Sequence, residues 1–289
     1  MINEEFKREK KIKIELFNDH FQNRKVYNIP KAQLVIADIP YNLGNNAYAS
    51  STQWYVDGDN KNGESDKAGK QFFNSDKNFN LAEYMHFCSR LLKPEPKEKG
   101  QAPAMIVFCS FEQMNTVIEQ GKKHGFMKNY PIFFIKNYSA QTLKANMRIV
   151  GAMEYAVVLY RDKLPKFRNK KKADGSGTMV FNWFEWERDT AEDNIPKIHP
   201  TQKPVRVLKK LIEIFTDEGD VVIDPVAGSG TTLRACMELN RNCYGFEIDK
   251  NFYKEAKDKM INPNYLVEKE KKENEETGQQ NIFDLLEVD

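Results

Sequence analysis

The chain has 289 residues, 44 Lys and Arg against 42 Asp and Glu, a formal charge of +2 and 40% apolar residues. That suffices for one large or two modest domains and excludes collagen-like, wholly disordered and disulfide-knit classes. No apolar run nears the roughly 20 residues of a membrane helix, and Met1 to Glu15 mix charges of both signs where a secretory signal needs an apolar stretch, so export is not expected.

In chain order, Gln33 to Ala37 is a continuous apolar run stopped by Asp38-Ile39-Pro40-Tyr41, the pattern of a buried strand ending in a carboxylate. Residues 42–80 are polar and rich in Gly, Asn and Asp, which predicts a mobile loop or lid. Leu81, Tyr84, Met85, Cys88, Leu91 and Leu92 recur at helical spacing before Pro94. Ala104 to Cys109 predicts a strand and Phe111 to His124 a helix, followed by strands over Tyr130 to Ile135 and Tyr155 to Tyr160. This alternation predicts an α/β fold built on a doubly wound, mostly parallel sheet.

Residues 161–197 break the rhythm with a basic run, a Gly-Ser-Gly turn and the aromatics Phe181, Trp183, Phe184 and Trp186. Regularity returns with a helix from Pro204 to Phe215, a strand Val221 to Ile223 ending at Asp224, a helix from Thr231 to about Leu239, and a strand Cys243 to Phe246 ending at Glu247. After Met260 the chain is highly charged and expected to be disordered. Cys88, Cys109, Cys236 and Cys243 lie in apolar segments without a CxxC pair, as reduced core thiols do, and no metal site is expected. Residues 268–289 hold eight acids and three bases, so the rest of the chain carries +7, a balance that suits a polyanionic partner without demanding one.

Three motifs carry chemistry. Asp224-Pro225-Val226-Ala227-Gly228-Ser229-Gly230-Thr231-Thr232 joins a strand to a helix with glycines that let backbone approach a ligand, and Glu247 ends the next strand, where an acid accepts ribose hydroxyls. A tight turn with a surface acid would look similar. A dinucleotide fits less well, because the third glycine of GxGxxG is missing and an acid opens the loop. Asp38-Ile39-Pro40-Tyr41 offers a carboxylate, a carbonyl held in extended backbone and a flat ring, which suits an exocyclic amino group of an extruded base: that nitrogen is a poor nucleophile and needs acceptors as it gains positive charge. Alone, the tetrapeptide also fits a simple strand-end turn. His199-Pro200-Thr201-Gln202-Lys203-Pro204 precedes a helix whose free amides, with a lysine, would receive a carboxylate, or it is a capped loop with a structural histidine.

Together, and in this order, the motifs resemble the β class of S-adenosylmethionine-dependent DNA amino methyltransferases, whose signatures are D-P-P-Y, H-P-T-Q-K-P and D-P-F-x-G-S-G-T-T. The likeness spans residues 14–262, with Ile39 in place of the first proline and Val226 in place of the phenylalanine. It implies a catalytic half over 1–160, a target-recognition region over 161–197, a cofactor-binding half over 198–261 and a tail over 262–289. Catalysis falls to Asp38, Ile39, Pro40 and Tyr41. The cofactor falls to Asp224, Pro225, Gly228, Ser229, Gly230 and Thr232, with Thr201, Lys203 and Asp38 beside them, Glu247 on the ribose and Asp19 toward the adenine. Asp38 favours adenine N6 over cytosine N4, and no Pro-Cys pair exists for attack through the cytosine ring carbon.

For DNA contact, Lys163, Lys166, Arg168, Lys170, Lys171 and Lys172 suit phosphates, and Trp183 and Trp186 suit bases, unless the run is simply a solvated face. The region is short, so the 42–80 loop or the second subunit of a homodimer is expected to share recognition. Gln279, Ile282 and Phe283 resemble a bacterial sliding-clamp peptide, the alternative being a short helix folded back on the body. The resemblance implies a cytoplasmic, nucleoid-associated enzyme of a prokaryotic or phage-infected cell, of restriction–modification type. The other readings are an RNA or protein amide methyltransferase, in which the cofactor loop usually comes first, and a catalytically dead DNA-binding relative.

Overall fold

The computed structural model describes residues 12–41, 79–139, 145–146, 149–169, 171, 173–199, 201–262 and 265. Within them the apolar runs form one sheet of β1 (Ile14–Phe17), β2 (Leu34–Asp38), β3 (Ala104–Cys109), β4 (Lys128–Ile135), β5 (Met153–Tyr160), β6 (Trp183–Glu185), β7 (Val221–Asp224) and β8 (Asn242–Phe246), ordered β1-β8-β7-β2-β3-β5-β4-β6. Neighbours are parallel except around β5, which runs antiparallel to both β3 and β4.

Side chains alternate across this sheet. Val35, Ala37, Met105 and Val107 pack with α1 (Leu81–Leu91) and α2 (Met114–Lys123), while Leu34, Ile36, Ile106 and Phe108 pack on the other face with α3 (Val205–Phe215) and α4 (Thr231–Glu238). Covering both faces explains why β2 and β3 read as unbroken apolar runs rather than alternating ones. Each large side chain so enclosed contributes roughly 1.5–3 kcal/mol. Asn80 caps α1 by accepting from the Glu83 amide at 3.2 Å.

The connections position the site. From β2 the chain passes through α1 to β3, and from β7 through α4 to β8, so the two crossovers leave the adjacent pair β2 and β7 in opposite directions and onto opposite faces. Such a divergence leaves a crevice at the carboxyl ends of the strands. Asp38 and Asp224 are the last residues of those two strands.

Two strands depart from the sequence expectation. β1 pairs with β8 from Ile14↔Cys243 to Phe17↔Phe246, and β6 adds to the edge of β4 from Phe133↔Trp183 to Ile135↔Glu185. Helix α2 begins at Met114, after a turn in which Ser110 and Gln113 exchange side-chain and backbone hydrogen bonds and Phe111 stays 65% exposed. All four cysteines are buried and free. Within the described residues no helix is long and apolar enough to cross a membrane. Most of the 42–80 loop, Lys170, Lys172, Pro200 and the tail with Gln279, Ile282 and Phe283 lie outside the described residues.

Candidate functional site

At the end of β2 the tetrapeptide is tied down from two sides. The Ile39 amide donates to the Phe108 carbonyl at 3.2 Å, continuing the β2–β3 ladder, and the Gln113 side chain donates to the Pro40 carbonyl at 2.8 Å. No described residue donates to the Ile39 carbonyl, so it stays available as an acceptor.

Asp38 belongs to a four-residue charged cluster. Its Oδ2 lies 2.7 Å from the Lys203 ammonium, which also lies 3.6 Å from Glu154 Oε2. Glu154, on β5, accepts from Lys136 through Oε1 and from the Tyr41 hydroxyl through Oε2 at 2.8 Å. The Tyr41 hydroxyl also neighbours Asp38, but it has one proton and the short bond commits it to Glu154. Side-chain exposure falls from 30% for Asp38 to 17% for Glu154, 13% for Lys136 and 8% for Lys203, so Asp38 is the member most open to an incoming ligand. Its other oxygen, Oδ1, is enclosed and has no hydrogen-bond partner among the described residues. An acceptor left in that state is costly and favours an arriving N–H.

These contacts set the charges. Burial raises the Asp38 pKa, and the Lys203 ammonium opposes that rise. Burial also disfavours the Glu154 anion, but Lys203 and Lys136 outweigh it and hold the group at about 2. Lys203 would lose its proton to burial if Asp38 and Glu154 did not retain it, and its pKa ends above the usual lysine range. The Lys203 ammonium rests among aromatic rings, 4.9 Å from the Tyr41 centroid, 5.7 Å from Phe108 and 5.9 Å from Trp186.

The second wall of the crevice is the loop after β7. The Val226 amide donates to Asp224 Oδ1 at 3.1 Å, the Gly230 amide to the Ala227 carbonyl at 2.8 Å, and the Gly228 amide to Glu247 Oε2 at 2.9 Å. Gly228 and Gly230 take left-handed φ of 52° and 78°, which strains any residue with a Cβ. A Cβ at Gly228 would meet nothing within 4 Å, so bare backbone faces open space there. Pro225, Ser229 and Thr232 are buried behind it. Asp224 is buried, and despite the Thr232 hydroxyl and the Val226 amide, burial pushes its pKa up to about 7. Glu247 also accepts from the Asp249 amide at 2.7 Å, and burial raises its pKa. A recessed carboxylate, a second one ending the next strand and a bare glycine surface between them suit a cationic ligand bearing ribose hydroxyls.

Other expected residues take different places. Asp19 accepts from the His20 amide, Asn23 and Tyr27, each at 2.7 Å, and so braces its own turn, while Asn18 donates to the Glu247 carbonyl at 2.9 Å. The first amides of α3, expected to receive a ligand carboxylate, are taken by Asp189, which accepts from Val205 at 3.0 Å and Arg206 at 3.1 Å. Thr201 is exposed and lies 3.1 Å from His199 Nδ1. The Lys203 ammonium turns to Asp38 rather than to the glycine loop.

The basic run is corrected in part. Lys166 is buried against Asp217 and Asp220 and Arg168 clasps Asp217 with two nitrogens, so these two charges are already matched by carboxylates, whereas Lys163 donates to the neutral Pro96 carbonyl and keeps its charge. Trp186 is buried beneath Lys136 and Lys203, a core role in place of base stacking. Lys171 is exposed, and Trp183 is 47% exposed and stacks on Phe181 at 6.3 Å. Glu154, Lys136 and Gln113 were not anticipated from sequence; the signal for Glu154 is a lone acid within an apolar strand. Within the described residues no group of three or more His, Cys, Asp and Glu is placed to hold a metal ion.

Comparison with known proteins places the chain in a family. A family model for DNA methylases of the N6/N4 type matches residues 32–258. The type II methyltransferase M.HpaI of Haemophilus parainfluenzae is 26% identical over 242 residues, 78% of this chain and 67% of that protein. The DNA adenine methyltransferase YhdJ of Escherichia coli is 32% identical over 139 residues, 47% of this chain and 45% of that protein. In fold the chain is similar to M1.HpyAVI in complex with SAM, with a TM-score of 0.59 and 22% identity over 86% of this chain and 98% of that one. It is also similar to the cytosine-N4-specific PvuII DNA methyltransferase, with a TM-score of 0.58 and 15% identity over 86% of each chain.

Proposed function

Because the chain belongs to the N6/N4 family of S-adenosylmethionine-dependent DNA methylases, we propose that it methylates the N6 amino group of adenine in DNA, with the target base turned out of the duplex into the crevice between β2 and β7. The observation that carries this reading is Asp38, a strand-end carboxylate with one oxygen on Lys203 and the other without a hydrogen-bond partner among the described residues, with the unpartnered Ile39 carbonyl next to it in the chain and the anchored ring of Tyr41 close by. An exocyclic amino nitrogen gains positive charge as it is methylated and must shed a hydrogen. A carboxylate and a carbonyl that are in place beforehand stabilise that charge without reorganising.

The cofactor, when bound, supplies an activated methyl group carried on a positively charged sulfur. In this reading Glu247 accepts the ribose hydroxyls and Gly228 leaves room for the ligand's approach, while Gly230 shapes the turn against Ala256 and the buried Asp224 becomes more fully ionised as a cationic ligand arrives. Tyr41, fixed through its hydroxyl, presents a ring for stacking the extruded base. Asp38 supports adenine over cytosine by its likeness to the adenine-type tetrapeptide. Digesting DNA methylated by the purified chain to nucleosides should release N6-methyldeoxyadenosine; N4-methyldeoxycytidine alone would overturn the adenine assignment.

A further inference from the structure

We propose that Glu154 is a positioning residue for methyl transfer, and that its charge keeps the cluster around Asp38 electrically neutral when the target amino group arrives. The proposal rests on the reading of this crevice as the methyl-transfer site. Glu154 has no place in the three sequence motifs; it reaches the site because antiparallel β5 lies beside β3, with Ala156 opposite Phe108 and Tyr155 opposite Cys109. Once there it touches three members of the site: Lys203, Lys136 and the Tyr41 hydroxyl.

Lys203 and Lys136 bring two positive charges into a largely enclosed space, and Asp38 and Glu154 bring two negative ones. Without Glu154 the sum becomes +1, next to a nitrogen that must itself become positive, and Lys203 is left with Asp38 as its one anionic partner among the described residues. Charges so enclosed are weakly screened. Glu154 therefore offsets Lys203 and leaves the Asp38 carboxylate able to act on the substrate. Its hydroxyl partner, Tyr41, is fixed by the same group, so the ring's orientation and the charge balance have a common origin. The groups facing Asp38 are Lys203 ahead of α3, Glu154 on β5, Tyr41 in its own turn, Cys109 at the end of β3 and Asp224 at the end of β7.

The test is charge rescue in the full chain. Glu154→Gln keeps the shape and an acceptor for Tyr41 but removes the charge, and should lower kcat about 10- to 100-fold with cofactor affinity within about threefold of wild type. Adding Lys136→Met to Glu154→Gln restores neutrality and should recover about tenfold or more of the loss, while Glu154→Asp should stay near wild type. A double variant no faster than Glu154→Gln, or a Glu154→Gln enzyme of wild-type kcat, would overturn the proposal. A second readout needs no DNA: the Asp38 carboxyl, followed by 13C NMR in labelled protein, should titrate at lower pH in Glu154→Gln and return toward wild type in the double variant. An unmoved titration would overturn the charge balance itself, whereas wild-type protein that labels no DNA would strike the functional reading.

Discussion

The most informative single substitution is Asp38→Asn, which keeps the side chain's size and removes one negative charge. In the structure that charge lies 2.7 Å from a lysine that is only 8% exposed, and it borders the space where the amino nitrogen would sit. Two unit charges about 4 Å apart at an effective dielectric of about 20 interact by about 4 kcal/mol. That is a ceiling on what Asp38 contributes to a nitrogen turning positive. Loss of 3–4 kcal/mol corresponds to a roughly 100- to 1000-fold drop in turnover. The nitrogen is neutral before reaction, so the loss should fall on kcat more than on substrate affinity. Single-turnover transfer from labelled S-adenosylmethionine to duplex DNA, with enzyme in excess, measures it directly. Folding must be checked alongside, because Asn leaves Lys203 short of a counter-charge; Asp38→Asn with Lys203→Met should regain thermal stability while turnover stays low. A folded Asp38→Asn protein within tenfold of wild-type turnover would refute the reasoning.

Glu247→Ala should weaken S-adenosylmethionine binding by about tenfold or more, read by calorimetric titration, with a smaller effect on kcat, because a contact remote from the reacting carbon acts mainly as uniform binding. Asp224 has its folded-state pKa raised from 3.8 to about 7, so its burden on stability is absent below pH 3.8, grows up to about pH 7 and is constant above it. Asp224→Asn should therefore stabilise the ligand-free protein at pH 8, by at most about 4 kcal/mol, and not at pH 4, as denaturant titrations at the two pH values would show. Lys166→Met should destabilise the fold by about 3 kcal/mol in thermal unfolding, since Asp217 and Asp220 lose their shared cation, while the salt dependence of DNA binding stays unchanged.

The parallel strands were legible because burial on both faces leaves an unmistakable apolar run, as in β2 and β3, and because strand-end acids mark where each run stops. β1 was hidden by the charges around it: Lys13 and Glu15 flank Ile14, and pairing along one edge of β8 compensates for a weak local pattern. β6, three residues within an aromatic cluster, is defined by its partner β4 rather than by its own sequence. The tetrapeptide and glycine loop could be read locally since each is a turn that carries its chemistry within a few residues. Glu154 could not, because its partners Lys203 and Asp38 come from distant parts of the chain and meet it only through sheet pairing. The basic run misled for the same reason: Lys166 and Arg168 look solvated until Asp217, some 50 residues on, is brought against them. A charged residue's fate depends on long-range partners that periodicity does not report.

If the β2–β7 crevice serves methyl transfer to an amino group of DNA, both the acceptor and its dependence on Asp38 are measurable. Incubating the full chain with methyl-labelled S-adenosylmethionine and a mixture of unmodified DNA, RNA and protein, then separating the three, tests this most directly. Label should enter the DNA and be lost on Asp38→Asn substitution; label confined to RNA or protein, or DNA labelling indifferent to Asp38, would rule out methyl transfer to DNA at this crevice.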